Sequence, residues 1–262
     1  METTLKEQLK DLPRKTDSGN YDDVILTQDE IDAVLLVARR KKRHEEIERE
    51  YWDKVREDAK PVTLTREQFK SNFMVRAKAE LAAFDVDSEN ATILSFLFRY
   101  AVGDESVVEE GYSLKKGLLL TGGVGCGKTT IMRLLTPNQQ MSYAIVSCRN
   151  VRDEFEIDGS EALIKYSGKV YSNLNKFGQK EIGTCFDDLG TEREARHFGN
   201  TKNVMEEIIL NRYDKLPHHF THVTTNLTAA QIEENYGARV RSRLREMFNI
   251  ISFDKDAKDR RR

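Results

Sequence analysis

The stretch Gly122-Gly123-Val124-Gly125-Cys126-Gly127-Lys128-Thr129 decides how this chain is read. It matches the pattern GxxxxGK[ST] at every fixed position. Its glycines let the backbone turn tightly enough for several amides to point at one phosphate group, and Lys128 adds a mobile positive charge. The flanks agree. Gly117-Leu118-Leu119-Leu120 is a short apolar strand, and Thr129-Thr130-Ile131-Met132-Arg133-Leu134-Leu135 has helical apolar spacing. Strand, loop and helix N-terminus then converge on one anion site. A glycine-rich turn with a surface lysine would explain the octapeptide but not its setting.

Further strands are predicted at Ser142–Cys148, at Cys185-Phe186 with Ile182 ahead, at His222–Thr225 and at Ile250–Phe253. Amphipathic helices fall between them, around Glu154, Leu163–Tyr166, Val204–Tyr213 and Ala229–Asn235. Such alternation predicts an α/β fold, a mainly parallel sheet with helices on both faces.

A phosphate loop needs acidic residues at a neighbouring strand end to organise a metal. Asp187 and Asp188, closing Thr184-Cys185-Phe186, meet that need: Asp187 for the Mg²⁺ shell together with Thr129, and Asp188 to orient the attacking water. Asn226, just past the strand His222–Thr225, can offer an amide to the γ-phosphate or the water, or can cap the helix starting near Thr228. In Gly237-Ala238-Arg239-Val240-Arg241-Ser242-Arg243-Leu244-Arg245, Arg239 and Arg243 are four apart on one helix side, and Arg241 and Arg245 form another pair. They make either a solvated face or a set of phosphate contacts across a subunit boundary.

Residues before the strand at 117 read differently. Thr27-Gln28-Asp29-Glu30 and Thr65-Arg66-Glu67-Gln68 are both capping signatures. They open one or two amphipathic helices ending before Pro61 and a further helix through Phe69, Phe73 and Ala77. Another helix is expected from about Glu89 to Ala101. We expect a helical N-terminal partner-binding region over 1–88 and an ATPase domain over 89–262. Tyr51 and Trp52 read as packing ahead of a partner-binding face. Met1–Leu12 is a helix or a frayed arm, with Pro13 and Ser18–Asn20 marking a turn.

Composition narrows the function classes. The 262 residues carry 42 basic and 44 acidic side chains, a net charge of −2, so no wholly basic nucleic-acid coat is present. Local clusters at Arg39–Arg43 and Arg260–Arg262 remain candidates for DNA contact or for solvated surface. Cys126, Cys148 and Cys185 lack metal-ligand spacing, and their odd count suits a reducing compartment. With no signal-like or membrane-spanning stretch, the expectation is a cytoplasmic protein without a membrane partner.

Taken in order, Gly122–Thr129, Phe186-Asp187-Asp188-Leu189-Gly190, Asn211-Arg212-Tyr213, Thr224-Thr225-Asn226-Leu227 and Gly237–Leu244 resemble AAA+ ATPases of the bacterial helicase-loader group. The likeness is to the DnaC and DnaI type and the related IstB transposition helpers, and covers roughly residues 90–255. The resemblance implies a P-loop NTPase of AAA+ type that hydrolyses ATP with Mg²⁺. It assigns Gly122, Gly123, Val124, Gly125, Cys126, Gly127, Lys128, Thr129 and Thr130 to nucleotide binding, Asp187 and Asp188 to Walker B, and Asn226 to sensor 1. Arg243 looks like an arginine finger acting on a neighbour, with Arg239 a second arginine for nucleotide or interface. Asp-Asp replaces the commoner Asp-Glu pair, which suggests slow turnover. Residues 244–262 are too few for a separate helical lid, so a lidless domain is expected. The implied partners are a hexameric replicative DNA helicase, single-stranded DNA and further copies of this chain assembling with ATP. An IstB-like DNA-binding ATPase and a nucleotide-dependent regulatory switch are the alternatives. A small-molecule kinase is disfavoured, because no acceptor site is evident.

Overall fold

The computed structural model describes residues 27–58, 60–81, 84–192, 195–197, 200–254 and 257–260. The expectations for Met1–Leu12, Pro13 and Ser18–Asn20 fall outside them, as do Arg261 and Arg262. The chain divides into two compact units between Asp58 and Ala59.

Within the first unit, helix α1 (Gln28–Asp58) is one uninterrupted element of 31 residues. Thr27 and Glu30 close its first turn, with the Glu30 carboxylate accepting from both the amide and the hydroxyl of Thr27 at 2.8 Å. Arg43 pairs with Glu46 three residues on. The apolar positions expected to pack stay open: Tyr51 is 61% and Trp52 55% exposed, touching each other edge to face. Ile31, Leu35 and Ile47 are exposed as well. Packing is therefore corrected to an exposed apolar stripe. Periodicity reports a face, not what covers it.

The second unit begins with α2 (Arg66–Glu80), capped reciprocally by Thr65 and Gln68 as the sequence predicts. Helices α3 (Ala91–Val102) and α4 (Ser106–Glu109) follow. Then come β1 (Gly117–Thr121), α5 (Lys128–Leu135), β2 (Tyr143–Ser147), α6 (Cys148–Asp158), α7 (Ser160–Ser167), β3 (Val170–Tyr171) and β4 (Glu181–Leu189). The remainder is β5 (Ala195–His197), β6 (Asn200–Lys202), α8 (Val204–Lys215), β7 (Thr221–Thr225), α9 (Ala229–Met247) and β8 (Phe248–Ser252). The main sheet runs β2-β4-β7-β1-β8 with every neighbouring pair parallel, and β3 adds antiparallel to β4. Strands β5 and β6 pair as a separate hairpin. This is an α/β fold with a mixed, mainly parallel sheet flanked by helices, a P-loop/AAA+-like architecture.

Alternation along β1 builds both core layers. Leu118 and Leu120 face one side with Phe69, Phe73, Leu97 and Ile131. Leu119 faces the other with Phe155, Phe186, Ile208 and Val240. Because Phe69, Phe73 and Ala77 lie in the first layer, α2 belongs to the sheet's own core.

Two buried ionisable side chains sit on this frame. Arg212 is wholly buried and donates to Thr221 Oγ1 and to the carbonyls of Tyr166, Gly168 and Phe220, all within 2.7–2.9 Å. Burial pushes its pKa down to about 10. This arginine of the Asn211-Arg212-Tyr213 motif is a cross-link between α8, the end of α7 and the start of β7. His222 lies in the middle of β7, and its Nδ1 accepts from the Leu118 amide at 3.2 Å.

Burial, with the charges of His219 and Arg212 adding to it, pushes the His222 pKa down from 6.5 to about 3. Between those values the unfolded chain binds a proton that the folded chain refuses, so stability falls as pH drops below 6.5. Going from pH 7 to pH 5 should remove about 2 kcal/mol through this residue. Urea unfolding of the parent and of His222→Gln at both pH values checks this: the parent should lose more by that amount, and equal losses would contradict it.

Candidate active site

The carboxyl ends of β1, β7 and β4 meet at one edge of the sheet, the usual position for ligand crevices in open α/β folds. Strand β7 lies between β1, which feeds the phosphate loop, and β4, which carries the two aspartates. The loop turns through positive φ at Gly122 (154°), Gly125 (83°) and Gly127 (98°), values that a side chain would strain. Gly127 hands the chain to α5, whose first residues are Lys128, Thr129 and Thr130.

Lys128 is 5% exposed. Its ammonium donates to the carbonyls of Gly122 (3.0 Å) and Gly123 (2.8 Å) and to Asn226 Oδ1 (2.7 Å). Asn226 therefore faces the site. The helix-capping alternative falls to Thr228, whose side chain accepts from the Gln231 amide in a capping box. Thr129 Oγ1 donates to Asp187 Oδ1 at 2.8 Å. Lys128, Thr129, Thr130, Asp188, Asn226 and Arg260 all line a cavity of about 90 Å³ beside Gly125 and Gly127.

Consecutive strand residues point to opposite faces, yet Asp187 and Asp188 both reach this site. A bulge makes that possible. Phe186 is level with Val223 and Leu189 with Thr225, so three steps on β4 match two on β7. Asp188 takes φ 58°, the one described non-glycine residue with positive φ, and aspartate tolerates that conformation better than most side chains. Thr224 holds the distortion: its hydroxyl accepts from the Asp188 amide at 2.9 Å and donates to Asp187 Oδ1 at 2.6 Å. Thr191 adds hydroxyl and amide bonds to the Asp188 carbonyl.

The residues present suit a magnesium–nucleotide complex. The glycine backbone and Lys128 can receive phosphate oxygens, and Thr129 with Asp187 forms a hard oxygen pair for a divalent cation that retains waters. Among the described residues, no cluster of three or more His, Cys, Asp or Glu forms a metal cage of its own. Burial pushes the Cys148 and Cys185 thiols well up, so neither supplies a thiolate here.

The arginine segment divides as its spacing suggests. The helix breaks at Gly237 (φ 83°, ψ 163°). Beyond it, Arg241 and Arg245 line a second, more apolar cavity of about 580 Å³ with Leu119, Ile232 and Ile250. Arg243 stacks on Tyr213 at 4.1 Å and donates to the Tyr213 hydroxyl and to Glu246. Arg239 is exposed. Neither Arg239 nor Arg243 lines the cavity holding Lys128.

Sequence reasoning missed the part Thr224 plays at the bulge and the placement of Arg260. Thr224 was legible as a strand residue and as the first of the Thr224–Leu227 motif, with no role of its own. Arg260 was counted with a terminal basic run, and only the tertiary structure places it at the loop.

Comparison with known proteins gives fold-level likeness at low identity. No family model matches the chain. A proteasome-associated ATPase of Acidimicrobium ferrooxidans is 33% identical over 93 residues, 35% of this chain but only 15% of that protein's length. The crystal structure of the DnaC helicase loader aligns over 66% of this chain and 95% of its own, at 17% identity and TM-score 0.44. The replication initiator DnaA bound to AMPPCP and single-stranded DNA aligns over 68% of this chain and 50% of its own, at 15% identity and TM-score 0.44. A DNA replication initiation factor gives similar values: 69% and 50% covered, 16% identity and TM-score 0.45. No helix among the described residues is long and apolar enough to cross a membrane.

Removing the Lys128 ammonium tests the site directly. Lys128→Ala should weaken ATP binding at least tenfold, roughly 1.4 kcal/mol. Calorimetric titration of both proteins reads this, and equal affinities would remove the loop from nucleotide binding.

Proposed function

We propose that this chain is an AAA+-type ATPase that loads a replicative DNA helicase onto single-stranded DNA, ATP binding driving assembly and hydrolysis driving release. The observation that carries the enzymatic part is the meeting of Lys128, Asn226, Asp188 and the Thr129–Asp187 pair at one sheet edge. The loader assignment rests on the order of the sequence motifs, above all Thr224–Leu227 followed by Gly237–Leu244.

Each residue has a task its position allows. Lys128 neutralises phosphate charge, and its bond to Asn226 Oδ1 leaves that amide's NH₂ as a donor for a phosphate oxygen or water. Asp187, fixed by two hydroxyls, and Thr129 would hold Mg²⁺, which supplies charge neutralisation on the phosphate oxygens. Asp188 accepts a proton from the attacking water. Its shorter side chain, compared with glutamate, sets that water farther back and slows turnover.

Arg243 supports an assembled enzyme. It is held on Tyr213 and Glu246 and does not line its own Lys128 cavity, so a phosphate it served would belong to a neighbouring subunit. In-trans arginines contribute on the order of 10³ or more in rate in related systems. Arg243→Ala should keep ATP binding yet lose hydrolysis and ATP-dependent assembly, and mixing it with Lys128→Ala should restore part of the activity. Normal hydrolysis by Arg243→Ala alone, over a range of concentrations, would contradict the in-trans role. Affinity capture with and without a slowly hydrolysed ATP analogue tests the partner: a hexameric helicase retained only with nucleotide is expected. Retention of a transposase instead would move the chain to the IstB-like reading.

A further inference from the structure

Residues 257–260 run across the mouth of the phosphate loop. Ala257 packs against the first core layer. The Arg260 amide donates to the Gly125 carbonyl at 2.9 Å. The Asp259 carboxylate lies so near Gly125 that a Cβ there would stand 2.1 Å from its Oδ1, and a Cβ on Gly127 would meet Arg260 Cδ at 3.6 Å. The loop therefore receives this segment as closely as it would receive a ligand.

The Arg260 side chain is poised between two sets of partners. Its Nη2 donates to Asp87 Oδ1 (2.9 Å) and Glu89 Oε2 (3.1 Å), while the Lys258 amide donates to the same Glu89 oxygen. Its Nε is buried without a hydrogen-bond partner among the described residues. A buried N–H without a partner is costly, so this position favours an acceptor. The same side chain lines the cavity with Lys128, Thr129, Asp188 and Asn226. That cavity, at about 90 Å³, is far below the roughly 300–1,000 Å³ of small-molecule sites. Beside Gly125, Gly127 and Lys128 a space of that size suits a phosphate group, and Arg260 lines it. Burial raises the Asp87 carboxyl, but the Arg260 guanidinium and the amides of Glu89 and Asn90 outweigh burial and hold it below its ordinary value.

We propose that residues 257–260 are a strap over the phosphate loop and that Arg260 contacts the nucleotide polyphosphate in cis, its guanidinium leaving Asp87 and Glu89 for phosphate oxygens. The inference rests on the nucleotide reading above. It replaces the DNA-facing role considered for Arg260 with one inside its own subunit. Arginine suits the exchange, because its fork bonds carboxylate and phosphate in the same geometry.

The test is a fluorescence titration and stopped-flow dissociation of an N-methylanthraniloyl-labelled ATP from the full chain, its Arg260→Ala and Glu89→Gln variants, and Lys128→Ala. Arg260→Ala should bind about tenfold more weakly, mainly through faster release. Glu89→Gln frees Arg260 from one competing carboxylate while keeping an acceptor for the Lys258 amide, so its affinity should equal or exceed the parent's. Unchanged or tighter binding by Arg260→Ala would reduce the strap to an obstruction and overturn the proposal. Equal weakening by both variants would also overturn it, since the ion pair would then be a brace. If the parent and Lys128→Ala both fail to bind nucleotide, the underlying reading fails and this proposal with it. If Lys128→Ala alone loses binding while Arg260→Ala matches the parent, only the strap is wrong.

Discussion

The Thr224 hydroxyl holds the candidate site's edge of the sheet together. It lies on β7, inserted between the loop-bearing β1 and the aspartate-bearing β4, and bonds both aspartates at once. Without a bulge, Asp187 and Asp188 would face opposite sides of the sheet. With the bulge pinned, Asp187 meets Thr129 from α5 while Asp188 turns into the cavity. A single strand order and one threonine thus connect the two halves of the site, which are not neighbours in the sheet. Lys128 and Asn226 make the second connection, from α5 to the end of β7.

Much of this was legible in residues alone. The octapeptide, the apolar run at 117–120 and the Asp187-Asp188 strand end identify the sheet edge, because parallel buried strands read as short apolar runs and phosphate loops need glycine at fixed places. Both N-terminal capping signatures were found where Thr27 and Thr65 stand, since a cap is a local hydrogen-bond pattern. The loss of Asn226 to a helix cap was excluded only when Thr228 was seen to do that work.

What escaped the sequence depends on partners far along the chain. The bulge at Asp187–Asp188 is set by pairing with β7, about thirty-five residues away, and a strand pattern carries no mark of it. Arg212 reads as a charged helix residue, yet it is wholly buried because three carbonyls and a hydroxyl converge on its guanidinium. Arg260 reads as part of a basic run, and its meeting with Asp87 and Glu89 spans more than 170 residues. Tyr51 and Trp52 show the converse: their spacing announces a face, but α1 offers them no cover. The place of α2 in the second unit has a related reason. Phe69 and Phe73 look like any helical stripe until β1 supplies the surface on which they pack.

In the proposed function, Thr129 and Asp187, fixed by Thr224, would form the magnesium half of a nucleotide site. Calorimetric ATP titration of the parent and Asp187→Asn, each with and without Mg²⁺, tests it most directly. Asp187→Asn retains the shape while removing the charge that a divalent cation needs. The account predicts that Mg²⁺ strengthens ATP binding by the parent at least tenfold and by Asp187→Asn hardly at all. The same Mg²⁺ enhancement in both proteins would contradict it.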